Sequence, residues 1–106
     1  MNNWIAFPKK DLLQEIFLAE FNLDHETLIL WNKIKISPEI WSCKDVIEEN
    51  FWVVAKTNNQ IIWYNDIEEG FNVSKYLDEY IILEYCASQQ ELNLALKELI
   101  KLNSKS

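Results

Sequence analysis

FWVVAKTNNQIIWYN, residues 51–65, decides the fold. Two runs rich in β-branched and aromatic residues flank Asn58 and Asn59, which tolerate the left-handed backbone of a tight turn, and the pattern predicts a β-hairpin. Side chains alternate along a strand, so Phe51, Val53 and Ala55 are expected on one face and Trp52, Val54 and Lys56 on the other. Both faces are largely apolar, which predicts a hairpin at the centre of its sheet. Trp63 and Tyr64 must likewise point to opposite faces, so one is expected in the core and the other is free to be exposed.

Working outward toward the N-terminus, PEIWSCKDVIEEN (38–50) reads as irregular or briefly helical. The alternation in WNKIKI predicts a strand near residues 32–37, and Pro38 is expected to end it because proline has no amide to give to a ladder. Residues 21–32 read as a turn or short helix capped by Asp24. Farther out, Pro8 fits the first position of a helix, and Leu12, Leu13, Ile16 and Phe17 recur at helical spacing up to Glu20.

Toward the C-terminus, NDIEEGFNVSKYLDE (65–79) is longer than the usual hairpin loop, and connections of that size often bind. Gly70, the only glycine, is the position there at which a positive φ is cheapest. YIILEY (80–85) reads as a further strand. Ser88 stands three residues before Glu91 at capping-box spacing, and Leu92, Ala95, Leu96, Leu99 and Ile100 line one face of a closing helix. The expectation is an α+β single domain over residues 1–106, with an antiparallel sheet of about four strands packed with N-terminal and C-terminal helices.

Composition narrows the function. A chain of 106 residues that is 49% hydrophobic, with one Gly and two Pro, can bury a core and has no disordered or collagenous bias. Ten basic against seventeen acidic residues give a net charge of −7, and all ten are lysine. That balance repels phosphate backbones and anionic lipid, and no bidentate arginine clamp exists, so neither direct nucleic-acid nor membrane binding is expected. MNNWIAFPKKDL shows no basic stretch followed by an apolar one, so no export signal or span is read and the protein is expected in the cytoplasm. Cys43 and Cys86 can in principle pair, but a cytosolic chain keeps its thiols reduced.

The charge is unevenly spread. Residues 1–38 carry five acids and four lysines, 39–91 carry eleven and three, and 92–106 carry one and three, giving −1, −8 and +2. A central field of one sign attracts a basic partner and raises association rates; the simpler alternative is a solvated face that keeps the protein monomeric. Trp63, Tyr64, Phe71, Tyr76 and Tyr80 interleave with the acids, and Trp and Tyr commonly anchor interfaces, although for each of them taken singly a core role is the favoured reading.

Catalytic and metal constellations are not apparent. The one histidine, His25, has no cysteine at a supporting spacing for a nucleophile and base pair. Two cysteines and one histidine cannot build a structural zinc site. NDIEEG lacks the ligand spacing of a calcium loop, and one glycine cannot make a phosphate loop. No catalytic residue, cofactor or metal is expected, and the chain reads as a binder rather than an enzyme.

FWVVAKTNNQIIWYNDIEEGFNVSKY, with the following EY and the QQEL that opens the last helix, resembles small bacterial immunity proteins of contact-dependent growth inhibition (CDI) systems. The matched part covers residues 51–92, and WYNDIEEGFN is its most specific element. The resemblance implies a cytosolic antidote that binds the C-terminal toxin domain, often a nuclease, of a large delivered protein as a 1:1 complex. Nuclease clefts are basic, so carboxylates on an antidote can exploit the same field. On this reading Asp66, Glu68 and Glu69 engage toxin lysines or arginines, with Tyr64, Phe71 and Tyr76 as anchors. WYNDIEEGFN can equally be a sheet corner whose aromatics and Gly70 serve folding. The alternatives are an acidic module or nucleic-acid mimic acting on an unrelated basic protein, and a small enzyme working with carboxylates alone.

Overall fold

A computed structural model describes residues 7–45 and 48–103. Val46 and Ile47, within the stretch read as irregular, and the two chain ends lie outside the described residues. The elements in chain order are α1 (Lys9–Glu20), α2 (His25–Ile34), β1 (Lys35–Lys44), β2 (Glu48–Lys56), β3 (Gln60–Asn65), β4 (Gly70–Lys75), β5 (Ile81–Ile82) and α3 (Leu92–Asn103).

Pro8 immediately precedes α1 as its N-cap, and its carbonyl takes the Leu12 amide at 3.0 Å. Leu12 is buried and Ile16 half-buried, but Leu13 and Phe17 are 47% and 56% exposed. The inward stripe is therefore narrower than the apolar spacing predicts.

Residues expected to start a strand instead complete α2, because a reciprocal cap and a buried tryptophan fix the helix. The Asp24 carboxylate accepts the Thr27 amide at 3.0 Å, and the Thr27 hydroxyl accepts the Asp24 amide at 3.0 Å. Trp31 is buried one turn on and donates its indole N–H to Glu20 at 2.7 Å. Lys97 of α3 pairs with Asp24 at 3.0 Å. The Thr27 amide first, and the Lys97 ammonium with it, hold the Asp24 carboxyl down to about 2. A folded value below the unfolded one means that ionised Asp24 stabilises the fold above the unfolded pKa, a contribution lost as pH falls through the folded one. Asp24→Ala is accordingly expected to lower the Tm by a few degrees at pH 7, and thermal melts should show the gap to wild type narrowing as pH falls from about 4 toward 2.

The sheet order is β4-β3-β2-β1-β5, antiparallel except that β5 runs parallel to β1 through Ser42–Ile81 and Cys43–Ile82. An α+β domain with terminal helices is thus correct, and the sheet is mixed and five-stranded. Pro38 does not end a strand. β1 runs through it, because the register to β2 shifts between Lys35 and Glu39 and the ladder demands no regular hydrogen bond there. The hairpin of β2 and β3 lies at the sheet's centre as expected. The long connection is in fact a turn, Asp66–Glu69, followed by β4. The positive φ falls on Glu69 (58°), not on Gly70. YIILEY contributes only Ile81–Ile82 to the sheet. Ser88 does not cap α3: Glu91 takes the first helical amides, those of Leu94 and Ala95, at 3.1 Å each.

Apolar side chains fill both faces of the sheet. Val54, Ala55, Ile62, Tyr64, Phe71 and Val73 pack under the helices against Leu12, Trp31, Leu92, Ala95, Leu96 and Leu99. Trp41, Cys43, Phe51, Val53, Ile61, Trp63 and Ile82 form a second cluster, flanked by Tyr76, Tyr85 and Cys86. The expected alternation holds as far as Val54; the register to β3 shifts between Val53 and Ala55, so Ala55 turns to the helix side and Lys56, opposite Ile61, to the other. Trp63 and Tyr64 do face opposite ways, but both are buried, at 0% and 4% exposure. Cys43 and Cys86 are free thiols, each with its pKa raised chiefly by burial. Among the described residues no helix is long and apolar enough to cross a membrane.

Candidate functional site

Asn65 organises the acidic turn. Wholly buried at the end of β3, it accepts the amides of Ile67 (3.0 Å) and Glu68 (3.2 Å) through Oδ1. Its Nδ2 donates to the Cys86 carbonyl (2.9 Å) and the Tyr85 hydroxyl (3.1 Å). The turn is thereby tied to the segment that closes the far side of the sheet. Asp66 and Glu68 are half-buried, while Glu69, in the left-handed region, is exposed beside an outward Ile67. Burial, with a smaller push from Glu49, raises the Asp66 carboxyl above its ordinary value.

Beside this turn, a cleft of about 200 Å³ opens between α1, the start of β4 and residues 89–93. Tyr64 and Phe71 form its floor, with ring centroids 5.1 Å apart and Phe7 5.2 Å from Tyr64 on the other side. Leu18, Ala19 and Leu92 add apolar wall, and Glu15, Glu69 and Glu91 bring three carboxylates. Among the described residues no lysine lines the cleft. The Tyr64 side chain makes no hydrogen bond among the described residues, and its hydroxyl is pushed up to about 12, first by burial and then by the fields of Glu15, Glu69 and Asp66. Gln89 and Gln90 are held against the sheet, where the Gln90 carbonyl takes the Phe71 amide at 2.9 Å. Glu68, Glu69, Ile67 and Gln89 line a shallower depression that shares Glu69 and Gln89 with the cleft.

Of the six residues read as partner-binding, the structure gathers Asp66, Glu68 and Glu69 on one turn and sets Tyr64 and Phe71 beside them as the cleft's floor. These two aromatics are core residues with one edge on the cleft, and they do not protrude as surface anchors. Tyr76 belongs to the other side of the sheet, edge-on to Trp41 at 5.2 Å and donating its hydroxyl to the Thr57 carbonyl at 2.7 Å. Glu15 and Glu91 are additions that no local pattern placed at the cleft, because they reach it from α1 and from the residue preceding α3, both distant in sequence from the turn. Among the described residues no three His, Cys, Asp or Glu side chains cluster so as to hold a metal ion.

No protein-family model matches the chain, and no curated protein or solved structure matches it either.

Proposed function

We propose that the protein is an immunity protein that binds the basic C-terminal toxin domain, a nuclease, of a contact-dependent growth inhibition system, and that it neutralises this domain in the cytoplasm as a 1:1 complex. The observation that carries the reading is the Asp66–Glu69 turn. Three carboxylates sit together on a loop that Asn65 fixes in place, next to a cleft whose lining among the described residues supplies no counter-cation. Pre-fixed charge is what an inhibitor needs, because little ordering entropy is then lost on docking and the field is already aimed at the partner.

The test is co-expression with the product of the neighbouring gene. A stoichiometric complex that survives purification, and protection of cells from that product, are the expected results. A neighbour that is neither bound nor neutralised overturns the proposal, and capture of a basic protein encoded elsewhere would point instead to a general acidic binding module.

A further inference from the structure

We infer that the cleft over Tyr64 and Phe71 is a socket for one arginine side chain presented by the partner. The inference rests on the proposed reading that the partner is a basic protein, and it adds which chemical group the site takes and where.

Three features of the cleft select that group. Its volume of about 200 Å³ is below the roughly 300–1,000 Å³ of small-molecule pockets and suits a single long side chain. Its walls are amphipathic, with apolar surface from Leu18, Ala19 and Leu92 for an aliphatic stem and carboxylates of Glu15, Glu69 and Glu91 for a charged head. Its acceptors, the Tyr64 hydroxyl and the three carboxylates, come from separate elements, and the planar fork of a guanidinium can meet several at once where an ammonium is a compact, more strongly hydrated charge.

Tyr64 is the observation that points to a ligand independently of the acids. The residue is only 4% exposed, its hydroxyl has no hydrogen-bond partner among the described residues, and it lies in the field of Glu15 and Glu69 at the cleft wall. The hydroxyl is not sealed off, because among the described residues Gln60 Oε1 is the fully enclosed side-chain polar atom that lacks a partner, so a donor entering the cleft can meet the Tyr64 oxygen there. Guanidinium has five N–H donors and no acceptor, so it can donate to this oxygen and to the carboxylates together.

The experiment titrates the full-length ¹⁵N-labelled protein with N-acetyl-L-arginine amide, followed by amide chemical shifts. The lysine analogue and the neutral isostere N-acetyl-L-citrulline amide serve as comparisons. Saturable shifts confined to Glu69, Phe71 and residues 90–93 are expected, with arginine about three- to fivefold tighter than lysine and no saturation by citrulline. Glu15→Gln, an exposed change on α1, should weaken arginine binding severalfold, as should Tyr64→Phe, which keeps the ring and removes only the hydroxyl. Equal response to citrulline, arginine shifts scattered over the whole acidic surface, or full affinity in both variants would each overturn the socket. Failure of the socket leaves a salt-sensitive complex with the neighbouring gene product standing. Binding of the arginine probe without any such complex would instead sink the proposed function and keep the socket.

Discussion

Gly70→Ala is expected to cost about 3 kcal/mol of stability and to lower the Tm by roughly 12–24 °C, far more than its single added methyl suggests. A Cβ at Gly70 would stand 2.3 Å from the Ser88 carbonyl oxygen and 2.5 Å from Gln89 Cα. Both are backbone atoms, so no side chain can swing aside. Moving that backbone strains three bonds at once: Phe71 N–H to the Gln90 carbonyl (2.9 Å), Ser88 N–H to Asn72 Oδ1 (2.9 Å) and Asn72 Nδ2 to the Ser88 carbonyl (3.1 Å). Leaving buried partners unmade costs on the order of 1–3 kcal/mol each, which limits how far the segment can retreat. The same displacement would shift Gln89 and Gln90 out of the cleft wall. Glu69→Gly makes the contrast, because there the backbone sits at φ 58° and glycine relieves strain. Urea melts of the two variants should show a large loss for the first and a neutral or slightly favourable change for the second. If the glycine served only to reach an unusual φ, the ranking would be reversed.

That pair also marks where the sequence could be read and where it could not. The hairpin was legible because β-branched and aromatic runs on either side of an Asn-Asn turn leave few alternatives, and the apolar spacing of α3 correctly picked Leu92, Ala95, Leu96 and Leu99 for burial. β4 was not, because GFNVSK has the composition of a loop. Its Asn72 and Ser74 are poor strand formers in general, but here their side chains bond the Ser88 and Glu84 carbonyls and help seal the sheet edge. Tolerance of Pro38 depended on a register shift that only the partner strand reveals. The acids of the turn were visible as charge, but alternation assigns Tyr64 and Trp63 only to opposite faces. It cannot say that each face has a cover, the helices on one side and Tyr76, Tyr85 and Cys86 on the other. The cleft itself is a meeting of α1, the turn and the start of α3, and no local pattern encodes such a meeting.

Neutralising the turn, with Asp66→Asn, Glu68→Gln and Glu69→Gln combined, is expected to slow association with the proposed basic partner by about tenfold or more at low salt while leaving the fold intact. The change takes the net charge from −7 to −4, and it removes charge where three carboxylates lie on a loop fixed by Asn65. Stability should hold because the turn is built by the Asn65 side chain and not by the acids. Asp66 in fact works against the fold at neutral pH. Burial raises its folded pKa, so its ionised form is disfavoured relative to the unfolded chain, and an amide at that position should leave the Tm unchanged or slightly higher. Association measured by stopped flow should fall steeply for wild type between about 50 mM and about 500 mM salt and only shallowly for the variant, with the two converging where screening is strongest. Dissociation separates field from contact. Loss of steering changes the association rate alone, whereas loss of a cleft contact from Glu69→Gln by itself should also speed dissociation. A wild-type association rate that ignores salt, or a triple variant as fast as wild type in dilute buffer, would leave the acidic turn with no part in recognition.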